Sequence, residues 1–250
     1  GNKLDILKSF GITDPGEGKK ADTILFADRS IIANQSTLKE IGFLIQKSGK
    51  KIGCFMNDPL PPVDTTLMNA GKQDVLEECM EEIDTLLETH GIKQVICYSP
   101  ESLSVLVRFS NSRAEFVSIT QFYAQLLKKK AHKKLKMPAV TYQDPCHLGR
   151  YAKEYVAPRQ VIAGLGLTLK EMWRSGDNSL CCGAGGGVLL DKPKLAKQYA
   201  SNRWSEAKAT GVKTIVTACP FCTVNLNQSK PKGGKVLDIT SLMAQAYGYK

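Results

Sequence analysis

The chain has 250 residues, of which 42% are hydrophobic and 23% charged, with 34 Lys and Arg against 24 Asp and Glu for a net charge of +10. This composition excludes a low-complexity or disordered chain, and no apolar run approaches the ~18 residues of a membrane-spanning helix, so no direct membrane span is expected. Much of the positive excess sits in KKKAHKKLK (128–136), where no aromatic residue is interleaved to stack bases, so the run is read as a solvated connector and no nucleic-acid partner is expected.

In chain order, TILFAD (23–28) predicts a strand, 35–47 a helix, KKIGCFM (50–56) a strand, 73–90 a helix, KQVICYS (93–99) a strand and VSITQFYAQLL (117–127) a helix. Beyond the lysines the plan repeats. PAVTYQ (138–143) predicts a strand, APRQVIAGLG (157–166) a short helix, LTLKEMW (167–173) a strand and 189–210 a long amphipathic helix. KTIVTA (213–218) and KVLDIT (235–240) predict strands and SLMAQAY (241–247) a closing helix. Strand and helix in alternation specify an α/β fold with parallel sheets.

An offset of 120 residues lays HGIKQVICYSPESLSVL (90–106) over TGVKTIVTACPFCTVNL (210–226) with 4 identities in 17, and VSITQFYAQLL over LDITSLMAQAY (237–247) with 4 in 11. The expected fold is therefore α/β: two tandem, pseudo-symmetric units with open parallel sheets, made by internal duplication. The boundaries expected are 1–128 for the first repeat, 129–137 for the Lys-rich connector and 138–250 for the second.

The eight cysteines are at 54, 79, 97, 146, 181, 182, 219 and 222. No charged-then-apolar leader is visible, so export and a disulfide framework are not expected, and clustered cysteines point to metal or redox chemistry instead. Cys54 and Cys97 in apolar strands and Cys79 on an amphipathic helix are expected as buried small hydrophobes. Trp173 and Trp204 are expected in the core or at its margin, and His90 and His132 at the surface.

The other five cysteines form a pattern: Cys146, 34 residues, Cys181-Cys182, 36 residues, then Cys219 and Cys222 as CPFC. Each group follows a strand or opens a helix, which in an open parallel sheet brings it to the carboxyl edge, where ligands bind. A CxxC turn sets two sulfurs on one side, whereas adjacent cysteines diverge and suit two metals of one polynuclear centre. In the run 183–187, Gly183, Gly185 and Gly186 can bring backbone N–H groups close to sulfide or thiolate, or simply form a turn. The run matches neither a Walker loop nor GxGxxG in a strand-to-helix setting. His147 could donate to a sulfur or move a proton to a departing thiolate, and Arg150 could offset negative charge or bind an anionic substrate; structural roles remain open for both, and for Asp144 in the same turn. Two other readings stay open: a structural zinc site fastening a docking module, for which four cysteines suffice, and cluster-free dithiol chemistry by Cys219 and Cys222.

DPCHLGR (144–150), APR (157–159), SLCCGAGGGV (179–188) and TACPFC (217–222) together resemble the cysteine-rich CCG domain found in the B and D components of heterodisulfide reductase and in the glycolate oxidase iron–sulfur subunit. The resemblance implies an iron–sulfur oxidoreductase domain with a noncubane [4Fe-4S] cluster on Cys146, Cys181, Cys182, Cys219 and Cys222. It also implies a ferredoxin-like module or subunit as electron donor or acceptor, and a thiol/disulfide substrate or a quinone-reactive membrane subunit as the other partner. The opening GNKLDI is similar to the connector after a ferredoxin-like module in longer relatives. A cytoplasmic location, free or attached to a membrane complex through partners, is expected. The chain departs from two-cluster members, because Ser30, Pro61, Pro62, Ser99 and Ser102 stand where the first repeat would carry its cysteines. One cluster passing electrons singly is the expectation.

Overall fold

A computed structural model describes residues 3–57 and 60–249 and divides into two compact units, one running to Phe122 and including Tyr249, the other Tyr123–Gly248. The first holds β1 (Thr23–Phe26), α1 (Arg29–Ala33), α2 (Gln35–Ser48), α3 (Thr65–Asn69), α4 (Gln73–Thr89), β2 (Gln94–Cys97), α5 (Pro100–Phe109) and β3 (Glu115–Ser118), followed by α6 (Ile119–Lys129). The second holds β4 (Thr141–Gln143), α7 (Val156–Gly164), α8 (Val188–Asp191), α9 (Pro193–Ala209), β5 (Thr214–Thr217), α10 (Pro220–Gln228), β6 (Lys235–Asp238) and α11 (Ile239–Ala246). Each unit has a three-stranded parallel sheet in sequential order, β1-β2-β3 and β4-β5-β6.

The two units are the same plan written twice, as the 120-residue offset predicts. β2 and β5 are displaced by that offset at both ends, as are β3 and β6 and the helices α4 and α9, and α5 and α10 each begin on a proline at the first helical position. Pro suits that position because its missing N–H would have no partner there.

Several sequence expectations are corrected. The helix expected over 189–210 is two helices, α8 and α9, because Pro193 cannot continue the first and restarts the chain as the first residue of the second. LTLKEMW gives only a bridge: Val140 N–H donates to Thr168 O and Lys170 N–H to Val140 O, after which Glu171 turns aside to pair with Arg159. KKIGCFM touches the sheet only at Gly53, since the buried Asp14 carboxylate takes the N–H groups of Met56 and Asn57 that a longer strand would have given a neighbour. VSITQFYAQLL begins on the last two residues of β3, and the helix starts at Ile119.

In the second unit β4 is buried throughout and β5 (TIVT) is buried at every position, the run of β-branched residues matching a strand covered on both faces. The core is built from Ile215, Leu226, Ala200, Ala207 and Trp204, with Cys182, Cys219 and Cys222 as members of the same cluster. Burying Ile215 and Leu226 fully stabilises the unit by about 1.5–3 kcal/mol each. Trp204 lies in this core and its Nε1–H donates to Leu226 O at 2.8 Å, but Trp173 is 86% exposed, contrary to its expected place. Cys54 and Cys97 are buried; Cys79 is only half-buried on α4.

Candidate metal centre

All five patterned cysteines come to the carboxyl edge of the second sheet. Cys146 follows β4 and opens a π-helical turn, His147–Tyr151. Cys219 is the residue before α10, with Cys222 in its first turn. Cys181 and Cys182 lie in the loop leading to α8.

The thiols form a string. Cys146 Sγ is 3.9 Å from Cys181 Sγ, Cys181 also engages Cys182, Cys182 engages Cys222, and Cys222 engages Cys219. Cys182, Cys219 and Cys222 are buried, while Cys146 and Cys181 are half-buried and form the solvent side. Among the described residues, no three His, Cys, Asp or Glu side chains are placed to hold one metal ion.

Its electrostatics follow from crowding. Hydrogen bonds donated by the thiols of Cys146 and Cys182, then the Gly183 N–H at 3.3 Å and the charge of Arg150, hold Cys181 far below the usual thiol range, to about 2, against the opposing effect of burial. Cys146, Cys182 and Cys222 are pushed the other way by sharing hydrogen bonds with neighbouring sulfurs and by burial. One thiolate is thus stabilised, while Cys146, Cys182 and Cys222 hold their protons more tightly. A cationic metal core would displace those protons, because thiolates are the ligating form.

The chain around the string fixes it in place. Gly183, at φ +88°, packs so close to α9 that a Cβ there would lie 2.5 Å from Tyr199 Cβ and 3.0 Å from Ala196 O. Gly186 also has a positive φ, and Gly185 O accepts from Val188 N–H. Arg150 Nη1 donates to Ser179 O at 2.5 Å, tying the first loop to the second. His147 stacks on Tyr151 with centroids 4.8 Å apart; burial and the charge of Arg150 lower its pKa, and the Cys181 thiolate opposes them. Asp144, 3% exposed, receives both Nη atoms of Arg159 at 2.8 and 3.0 Å and the Gly176 N–H at 2.9 Å, so it orients the loop after β4.

Sequence reasoning missed three buried residues here. Asn225, 1% exposed, donates from Nδ2 to Cys182 O at 2.7 Å and to Ala196 O at 3.0 Å. Its signal was its place one turn after Cys222 on the same helix face. Gln143 ends β4 and donates from Nε2 to Asp144 O and Leu180 O, the carbonyl just before the paired cysteines. Arg203 on α9 is fully buried and donates to Gln143 Oε1 at 2.6 Å. The small residues Ala196, Ala200 and Ala207 on its face of the helix mark a close-packed side, yet nothing in the sequence marks a buried arginine.

An open parallel α/β unit that gathers five thiols at its carboxyl edge, with no carboxylate in the string, defines a sulfur-ligated metal domain; that donor set is soft and suits iron–sulfur chemistry. The model of the cysteine-rich CCG domain family matches residues 140–227, within the second unit. The chain is 40% identical over 140 residues to one component of the dihydromethanophenazine:CoB--CoM heterodisulfide reductase of Methanosarcina barkeri, a match covering 54% of this chain and 34% of that protein. It is 27% identical over 216 residues to one component of the fumarate reductase (CoM/CoB) of Methanothermobacter marburgensis, covering 84% of this chain and 42% of that one. The probable iron-sulfur-binding oxidoreductase FadF of Bacillus subtilis is 27% identical over 190 residues, covering 70% and 26%. The chain therefore spans less than half the length of these relatives. The crystal structure of a hypothetical protein from Helicobacter pylori shares the fold, with a TM-score of 0.65 at 13% identity, covering 98% of this chain and 54% of that one.

The zinc alternative finds no support, since these relatives carry iron–sulfur or reductase names. The dithiol alternative conflicts with the site: Cys219 and Cys222 are 7% and 2% exposed and burial among sulfurs raises Cys222, whereas dithiol catalysts present an accessible, acidified thiol. Among the described residues no helix is long and apolar enough to cross a membrane.

Proposed function

We propose that this chain is the electron-transferring iron–sulfur domain of an oxidoreductase, holding one noncubane [4Fe-4S] cluster on Cys146, Cys181, Cys182, Cys219 and Cys222. The observation that carries the reading is the unbroken string of five thiols in the second unit. When bound, such a cluster supplies a one-electron carrier whose iron can take a substrate sulfur. The Gly183 N–H supports the Cys181 sulfur, Asn225 anchors the backbone of Cys182, and Arg150 places positive charge beside Cys181 while bracing Ser179. His147, kept neutral near pH 7 by burial, is the proton carrier beside the half-buried Cys181. The substrate is a thiol/disulfide compound or a redox partner, and electrons are exchanged with a ferredoxin-like module or subunit. A quinone-reactive membrane subunit is the alternative partner.

Anaerobic reconstitution tests this. About four irons and four sulfides per chain are expected, with Cys182→Ser losing the cluster while the fold remains. Wild-type protein that takes up no iron would overturn the proposal.

A further inference from the structure

We infer that Arg203 is the buried counter-cation of the five-thiol centre and sets its reduction potential. The inference rests on the cluster reading above and concerns a residue with no thiol or surface role.

Arg203 is 0% exposed, and a guanidinium carries five N–H donors that need partners when buried. Its Nε–H goes to Gln143 Oε1 at 2.6 Å, and Nη1 goes to Arg174 O at 3.0 Å and to Glu206 Oε2. Nη2, by contrast, is buried with no hydrogen-bond partner. Its carboxylate is not its own either, because Glu206 is also bound by the Arg174 guanidinium. Arg174 is partly exposed and is screened by water, but Glu206 is divided between the two guanidinium groups and Nη2 of Arg203 stays unpartnered in the core, where a buried cation calls for a further nearby counter-charge.

The centre supplies one. Arg203 lies within Coulomb range of the Glu206 and Asp144 carboxylates and then of Cys222, and through Gln143 it also orients the two carbonyls, Asp144 O and Leu180 O, that precede the two solvent-side ligands. Cys222 as a metal-bound thiolate carries the negative charge that the guanidinium lacks. A fixed positive charge in a low-dielectric core stabilises the more negative, reduced state of a nearby centre, so its removal lowers the reduction potential. The same position makes Arg203 a positioning residue for the Cys181-Cys182 loop, and the two roles separate by charge.

The test is an anaerobic spectroelectrochemical titration of reconstituted wild type, Arg203→Lys, Arg203→Gln and Glu206→Gln, with iron counted in each. The expected result is a negative shift in midpoint potential for Arg203→Gln, a much smaller shift for Arg203→Lys, and a positive shift for Glu206→Gln, which removes the shared anion and leaves Arg203 in place. If Arg203→Gln does not load, the sign of the Glu206→Gln shift decides. Loaded variants with the wild-type potential, or Lys and Gln variants that behave alike, would overturn the role of Arg203 and leave the cluster standing. A wild-type protein without iron would instead overturn the cluster itself.

Discussion

Replacing Gly183 with alanine tests whether the paired-cysteine loop is held by backbone contact with α9. At φ +88° an L-residue is strained by about 1–2 kcal/mol, and the new Cβ would also meet Tyr199 Cβ at 2.5 Å and the Ala196 carbonyl at 3.0 Å. Neither obstacle is the far end of a flexible chain, so the overpacking costs a further ~1–3 kcal/mol. Gly187 provides the control: its φ is +81° but a Cβ there meets nothing within 4 Å, so Gly187→Ala pays strain alone. Both tryptophans, Trp173 and Trp204, lie in the second unit, so their fluorescence in a urea titration of metal-free protein reports on that unit. With a slope of about 1–3 kcal/mol per molar urea, Gly183→Ala should unfold at a clearly lower midpoint than Gly187→Ala. Equal midpoints would refute the argument that close approach to α9 requires glycine at 183.

The same titration checks Asn225→Ala, which strands two buried carbonyls, Cys182 O and Ala196 O, at about 1–3 kcal/mol each; a total loss under about 1 kcal/mol would contradict it. Asp144→Ala should cost about 3–5 kcal/mol by leaving the Arg159 guanidinium half-paired. Glu171→Ala, on the exposed side of that guanidinium, should cost under about 1 kcal/mol. In the first unit, burial and then the charge of Asp14 push Cys54 from its ordinary 9.0 up to about 12. The native state keeps that proton longer than the unfolded chain, so first-unit stability should hold below pH 9 and fall as pH rises toward 12, and Cys54→Ala should flatten the fall in far-UV dichroism melts. Alkylation followed by mass spectrometry at about pH 8, just under the ordinary thiol range, should reach half-buried Cys79 well before Cys54 or Cys97, and equal rates would contradict the burial.

The duplicated scaffold was legible because it is written in hydrophobic period and in a constant offset, both local properties of the chain. The five thiols were legible because strand-end placement in a parallel sheet converts sequence spacing into a shared edge. What was not legible depends on partners distant in sequence. Pro193 signalled the helix break but the apolar periodicity across it concealed the signal, and KKIGCFM failed as a strand because the carboxylate of Asp14, 42 residues before Met56, bonds its amides. Gln143, Arg203 and Asn225 act through side-chain bonds spanning 60, 43 and 29 residues, and no window of sequence contains both ends of such a bond.

The first unit shows what serine does at two of the five positions. In the second repeat the Asp144 carboxylate is occupied by Arg159 and the Gly176 N–H, and the thiol of Cys146 faces other thiols. In the first repeat the matching Asp28 carboxylate accepts from Ser30 N–H, Ile31 N–H and the hydroxyls of Ser30 and Ser102, the residues standing where Cys146 and Cys222 stand in the other repeat. Burial raises the Asp28 pKa and these hydrogen bonds counter it, so the carboxylate needs its hydroxyl donors. A thiol at Ser30 or Ser102 would be a weaker donor to Asp28, and a thiolate there would repel it. A cysteine at Ser30 or Ser102 is therefore disfavoured on this scaffold while Asp28 keeps its present role. Recreating a thiol site in the first unit requires a change at Asp28 as well, and the serines are part of a different, self-consistent hydrogen-bonded solution to the same buried turn.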